Sequence, residues 1–198
     1  MSSAIMAEPL AVLSSADDLV SEVARLRGEI ERLQGMVQRL DQLAHLDALV
    51  ELPNRRGFMR QLEGAIGRVQ RYGESAALLF VDLDGLKLIN DSHGHKAGDQ
   101  ALIRVAQMLV SGVRTGDCVA RLGGDEFGIL LDHSDESIAM ETAARLVDRI
   151  GRCEFSLDGS RLPLSVAIGV GMIGPDDNAE CVLERADEAM YQQKVALA

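Results

Sequence analysis

Cys118-Val119-Ala120-Arg121-Leu122-Gly123-Gly124-Asp125-Glu126-Phe127-Gly128-Ile129-Leu130-Leu131 decides the fold. Two apolar runs flank a Gly-Gly-Asp-Glu centre, so strands over Cys118–Leu122 and Phe127–Leu131 are expected, joined as a β-hairpin. Hairpin tips often carry Gly and Asp merely to turn the chain. Here the paired glycines also clear room against the backbone, and the paired acids face whatever enters it.

Upstream, the apolar run Ala76–Val81 predicts a buried strand that leads straight into Asp82-Leu83-Asp84-Gly85-Leu86-Lys87. Asp82 and Asp84 are two apart, so a continuing strand turns both to one side. Like charges that close repel unless a cation lies between them or one faces water. Strand-end oxygens, completed by water and phosphate, suit Mg²⁺. Gly85 lets backbone approach a phosphate and Lys87 brings positive charge. A strand ending in a polar turn gives the same letters. If the hairpin lies beside this strand, Asp82 and Asp125 can share cations as polymerase-type sites do.

Around these strands the pattern alternates. Helices are expected over Arg55–Arg71, Ala97–Val113, Ser137–Ile150 and Ala179–Ala196, and a further strand over Leu164–Met172. Helices interleaved with strands and one hairpin make an α+β domain, with helices flanking a central, mostly antiparallel sheet. Asn54 suits the N-cap of the first of these helices, and Pro53 ends what precedes it.

Before residue 45 the chain changes character. Leu19, Val23, Leu26, Ile30, Leu33, Val37, Leu40 and Ala44 recur at steps of four and three. The repeat lasts about three and a half heptads, long enough for a coiled coil. Val23, Ile30 and Val37 take the a positions, and Leu26, Leu33 and Leu40 the d positions, a choice that favours two parallel strands. Glu22 at g can pair with Arg27 at the next e across the two chains. An amphipathic helix folded back on its own domain is the alternative, but it needs a wider apolar stripe. Gly28 and Gly35 fall at f, away from the seam. Residues 16–44 are therefore expected as a dimerising helix, and residues 1–15, small and Ser-rich, as a loose arm.

Composition excludes several classes. A net charge of −11, no Trp, two Tyr and four Phe argue against a protein that holds DNA or RNA, which needs basic surface and stacking platforms. Cys118, Cys153 and Cys181 form no CxxC pair and fit a reducing compartment. The start lacks a basic, apolar leader, and no run is long enough to span a membrane. A cytoplasmic protein is expected.

The motifs together resemble the GGDEF-domain diguanylate cyclases. Arg121–Phe127 contains the signature Gly-Gly-Asp-Glu-Phe. Asp47-Ala48-Leu49 and Leu52-Pro53-Asn54-Arg55-Arg56 are similar to the family's opening motif, and Asp82–Asp91 to its Asp-x-Asp-x-Phe-Lys-x-x-Asn-Asp block. Gly94-His95, Gly98-Asp99, Ala186–Tyr191 and Lys194 follow in order. The resemblance covers about residues 45–194, which makes 45–198 the GGDEF domain.

That resemblance implies a nucleotidyl-cyclase, polymerase-palm-like fold and a reaction joining two GTP into cyclic di-GMP with release of two pyrophosphates, across a homodimer. It implies Mg²⁺ or Mn²⁺ on Asp82, Asp125 and the carbonyl of Leu83, with Glu126 near the attacking hydroxyl. Gly85, Leu86, Lys87, Gly123, Gly124 and Lys194 would contact GTP, and Asn90 and Asp99 would read its guanine. Arg114 and Asp117 stand at the spacing of the family's inhibitory product site, with Arg145 as a second contact from the other protomer. An Arg-x-x-Asp pair is otherwise a common surface salt bridge. Three departures stand out: Val50 replaces a usual Thr, Gly85-Leu86 a bulkier pair, and Val195-Ala196-Leu197-Ala198 the family's x-x-Gly-Arg, which implies one phosphate contact fewer. A module that binds GTP or cyclic di-GMP without turnover is the alternative. His93 and His95 are expected to bond locally.

Overall fold

The computed structural model describes residues 8–157 and 159–197, without the side chains of 8–18, 37–43, 160, 196 and 197. The chain divides after Ala44 into two units. The first is one helix, α1 (Glu8–Ala44), which takes in the second half of the stretch expected as an arm. Residues 1–7 lie outside the described part. Glu22 pairs within the helix, gripping Arg25 with both oxygens at 2.8 Å, and Glu29 holds Arg32 in the same way. The a and d side chains Val23, Leu26, Ile30 and Leu33 are 45–52% exposed. Val37 and Leu40 fall outside the described side chains.

The second unit contains α2 (Arg55–Tyr72), β1 (Ala76–Leu83), α3 (Leu86–His93), α4 (His95–Val110), β2 (Cys118–Gly123), β3 (Glu126–Asp132), α5 (Glu136–Gly151), β4 (Phe155–Leu157), β5 (Ser160–Leu162), β6 (Val166–Met172) and α6 (Ala179–Leu197). The main sheet runs β2-β3-β1-β6 with every neighbouring pair antiparallel, while β4 and β5 form a separate hairpin.

Strand alternation divides the core in two. Ala77, Leu79, Val81 and Leu83 of β1 pack with Ile89, Leu102, Leu109, Leu146 and Ile150 from α3, α4 and α5. Ala76, Leu78 and Phe80 pack with Phe58, Leu62 and Val69 of α2 and with Val182, Ala186 and Met190 of α6. The period of two then hands Asp82 to the α2–α6 side. Helix α6 lies directly on β6, because Gly169 has no side chain. A Cβ there would overlap the backbone at Ala186 and Met190.

Four expectations shift. Helix α3 was not anticipated: eight residues with only Leu86 and Ile89 buried show no legible period. The β4–β5 hairpin is likewise new. Helix α4 ends at Val110 rather than 113, where the Ser111 hydroxyl donates to the Gln107 carbonyl at 2.7 Å. Strand β6 starts two residues late, since Leu164 is buried but precedes the ladder.

Candidate active site

The site grows from the ends of β1 and β3. In register, Asp82 stands opposite Glu126, and the Leu83 N–H donates to the Asp125 carbonyl at 3.0 Å. Strand β1 ends at Leu83, so Asp82 lies in the ladder and Asp84 in the turn that follows rather than on a continuing strand. Both meet Lys194 of α6, whose Nζ lies 2.6 Å from Asp82 Oδ1 and 3.5 Å from Asp84 Oδ1. Asp84 is pinned separately: its N–H donates to the Ser165 carbonyl at 3.0 Å, and the Ser165 hydroxyl donates to its carboxylate at 2.9 Å.

Crowded acids resist ionisation. Burial pushes the Asp82 carboxyl above its ordinary value, and Asp125 and Asp84 add to that; Lys194 opposes it without prevailing. Glu126 is also raised, by burial first and then by Asp125, Asp82 and Asp187, with Arg55 acting the other way. Burial disfavours the Lys194 ammonium, but the Asp82 hydrogen bond and the two aspartate charges outweigh it and hold the lysine above its usual value.

Among the described residues, no three His, Cys, Asp or Glu side chains converge as a ready cation cage. An ammonium already lies between two of the carboxylates. This set fits a Mg²⁺ or Mn²⁺ ion that brings water and phosphate oxygens for its remaining positions.

The hairpin tip is fixed by a residue whose role the sequence reading missed. Arg121 donates from two nitrogens to the Gly124 carbonyl, at 2.8 and 3.1 Å, and from a third to Asp47 at 3.2 Å. Its own N–H donates to the Pro53 carbonyl at 2.9 Å. Asp47 is occupied on its other side, accepting from the N–H groups of Leu49 and Val50. Both partners lie in quoted motifs, but their pairing spans 74 positions.

Gly85, Leu86 and Lys87 open α3, with Lys87 exposed. Asn90, near the end of that helix, lies against Gly98 of α4. A Cβ on Gly98 would stand 2.9 Å from the Asn90 Cγ and nearer still to its Oδ1. Asp99 is the next residue, exposed on the same helix. Asn90 and Asp99 thus share the α3–α4 corner. Gly123 and Gly124 lie exposed at the hairpin.

Arg114 and Asp117 do not form the salt bridge that was the plainer reading. The Asp117 carboxylate accepts from the Arg114 N–H at 2.8 Å, and the Asp117 N–H donates back to the Arg114 carbonyl at 3.0 Å. This closes a tight turn and leaves the Arg114 side chain exposed. The turn lines a cavity of about 560 Å³ with Leu52, Gln61 and Val110, and a smaller one of about 210 Å³ with Thr142 and Arg145. Arg145, expected from a second protomer, lines that smaller cavity from the same chain and donates to the Gly112 carbonyl at 2.8 Å. Arg149, which sequence reasoning did not single out, donates to the Ser111 hydroxyl at 3.0 Å.

Comparison with known proteins agrees with this geometry. The family model described as "Diguanylate cyclase, GGDEF domain" matches residues 44–197. The bifunctional diguanylate cyclase/cyclic di-GMP phosphodiesterase MucR of Pseudomonas aeruginosa is 39% identical over 77% of this chain. Diguanylate cyclase DosC of Escherichia coli is 35% identical over 75% of it. The chain spans 22% of the first relative's length and 33% of the second's. Among solved structures, the coiled coil and GGDEF domain of DgcB from Caulobacter crescentus, in complex with c-di-GMP, is similar at a TM-score of 0.81 and 26% identity, covering 90% of this chain and 95% of that one.

Proposed function

We infer the reaction of this chain from the family to which it belongs, that of the GGDEF domains, and from the acidic site at the ends of β1 and β3. The chain is a diguanylate cyclase that condenses two GTP into cyclic di-GMP and releases two pyrophosphates, as a cytoplasmic homodimer. One observation carries this: Asp82 stands opposite Glu126 on adjoining strands, Asp125 precedes Glu126 at the hairpin turn, and Lys194 meets Asp82 and Asp84. That is a site for gathering charge around phosphates, which is most of what phosphoryl transfer asks of a protein.

Asp82, Asp125 and the carbonyl of Leu83 would hold Mg²⁺ or Mn²⁺, which when bound neutralises the triphosphate and polarises the reacting oxygens. Glu126 takes the proton of the attacking 3′-hydroxyl. In the metal-free site its pKa is raised, by burial first and then by the neighbouring acids. Lys87 and Lys194 set positive charge against the phosphates, and the backbone at Gly85 and Leu86 opens α3 towards them. Gly123 and Gly124 keep the hairpin clear of the nucleotide. Asn90 and Asp99 read the guanine edge, where Asp99 accepts from N1–H and N2–H₂, donors that adenine does not offer in that pattern.

Two loaded domains must face each other, so the stalk matters. An exposed a/d stripe on a long helix calls for a partner, and a second copy supplies the matching seam. A parallel coil then holds the second domain at high effective concentration. Cyclic di-GMP binding at Arg114, Asp117 and Arg145 would restrain the enzyme. The flanking cavities, and the presence of c-di-GMP in the similar DgcB structure, support that reading.

The test is chromatography of products after incubation with GTP and Mg²⁺. Cyclic di-GMP should form from GTP and no cyclic product from ATP, and Asp82→Ala or Glu126→Ala should abolish turnover in a folded domain. Binding of GTP without product in the wild type would assign the chain to the non-catalytic modules instead.

A further inference from the structure

Lys194 is expected at the phosphates by family resemblance, yet its ammonium lies between the carboxylates of Asp82 and Asp84, at 2.6 and 3.5 Å. Neither acid is free to drift away. Asp82 is locked into β1 between β3 and β6, and Asp84 is bonded twice to Ser165. The lysine is steered too, because α6 lies against β6 at Gly169 and Lys194 follows one turn after Met190. A held cation thus faces held anions, with Glu126 on the neighbouring strand and Asp125 in the turn before it adding negative charge.

We propose that Lys194 is the resident counter-ion of the nucleotide-free site, that a divalent cation must displace it from Asp82, and that the arriving triphosphate receives the displaced ammonium. The proposal rests on the reading of Asp82 as a cation ligand. The ammonium occupies Oδ1 of Asp82 at 2.6 Å, and a divalent ion on the same carboxylate would lie within a few ångströms of it, where two cations repel. Without nucleotide, Lys194 displaced from Asp82 keeps only its longer contact with Asp84, so cation uptake is suppressed. With nucleotide, the phosphates provide that anion and suppression lifts. Cation and nucleotide therefore bind cooperatively, and by linkage each strengthens the other by the same factor. The free enzyme stays largely empty of metal until GTP arrives.

The experiment titrates Mn²⁺ into the full chain, by electron paramagnetic resonance of free Mn²⁺, with and without 3′-deoxy-GTP, which lacks the attacking hydroxyl and cannot react; the Mn²⁺ taken up by the same nucleotide without protein is subtracted. Wild type should bind Mn²⁺ weakly alone and much more tightly with the nucleotide. Lys194→Met should tighten nucleotide-free binding by about tenfold, as removal of a unit charge near a partly screened site implies. It should also shrink the gain that the nucleotide brings. Lys194→Gln should move both quantities the same way, and Lys194→Arg, which keeps the charge, should leave nucleotide-free binding weak. Equal nucleotide-free binding by wild type, Met and Gln variants overturns the counter-ion role while leaving the cation site standing. No Mn²⁺ uptake by wild type beyond that of 3′-deoxy-GTP alone would overturn the cation site and this proposal together.

Discussion

Gly98→Ala should weaken guanine recognition by displacing Asn90, although Gly98 itself has no side chain to meet the nucleotide. The new methyl would stand 2.9 Å from the Asn90 Cγ and 3.1 Å from a Leu86 methyl, where ordinary contact begins at 3.4 Å. The Asn90 Cγ must retreat by at least 0.5 Å, and its Oδ1, nearer still, by more. Asn90 is half-buried, so the easiest relief is rotation of its amide out of the α3–α4 corner rather than collapse of the core. A hydrogen bond to guanine near 2.9 Å does not survive that movement, because such bonds fail by about 3.5 Å. Loss of one neutral bond, with its partner left unsatisfied, is worth about 1–2 kcal/mol, or roughly a tenfold rise in KM for GTP. The assay is steady-state turnover with GTP and with ITP, whose base lacks the 2-amino group. The variant should lose affinity for GTP and discriminate less between the two. In an Asn90→Ala background the clash disappears, so Gly98→Ala should then add almost nothing, a non-additivity expected only of touching residues. Unchanged KM and unchanged GTP/ITP preference in a folded Gly98→Ala protein would refute the reasoning.

Arg121→Ala frees the Gly124 carbonyl and strands Asp47. We expect kcat to fall about 10- to 100-fold from a misplaced Asp125, with a loss of roughly 1–2 kcal/mol read by urea denaturation. Arg121→Lys should restore little, since one ammonium cannot replace three guanidinium contacts. For Glu126 the sign is definite: a folded pKa raised above 4.5 means the ionised form is disfavoured, so stability falls as pH rises from the ordinary glutamate value through the folded pKa and is then level. Glu126→Gln should therefore raise the domain's Tm near neutral pH, by roughly 1–3 °C in calorimetry, while abolishing turnover. Arg114→Ala should relieve inhibition by added cyclic di-GMP and leave GTP turnover intact; calorimetry should show weaker product binding. Removing residues 1–44, or combining Ile30→Asp with Leu33→Asp, should cut activity per domain about tenfold at micromolar protein and make it depend on dilution, followed by light scattering.

Local signals carried much of this molecule into view. The paired apolar runs around Gly123-Gly124 gave the β2–β3 hairpin, and the run into Asp82 gave β1, with Asp84 in the turn beyond it and both acids meeting Lys194. Three kinds of feature stayed hidden. Helix α3 is too short for a period to show, and its N-cap, Gly85, has no side chain to signal the start. The pairing of Arg121 with Asp47, and that of Lys194 with Asp82, join positions 74 and 112 apart, which no spacing rule links. The role of Gly98 is a close approach, and a glycine in a helical pattern does not say what comes near it.

Those hidden contacts explain how an unfavourable cluster stays assembled. Raised pKa values at Asp82 and Glu126 show that ionising the site works against the fold. Its acids are held by groups that carry no negative charge themselves. Asp125 is fixed at both of its peptide groups, through the Gly124 carbonyl on Arg121 and its own carbonyl on the Leu83 N–H. Arg121 is anchored in turn by Asp47, three residues beyond the end of α1. Asp82 is held by ladder bonds on both sides, in a strand packed between two apolar layers. Repulsion among the acids is therefore borne by backbone pairing and buried aliphatic surface, neither of which the nucleotide disturbs. A site built this way keeps its geometry whether the charge between its carboxylates is supplied by Lys194 or by a metal ion, and that is the condition for exchanging one for the other without unfolding.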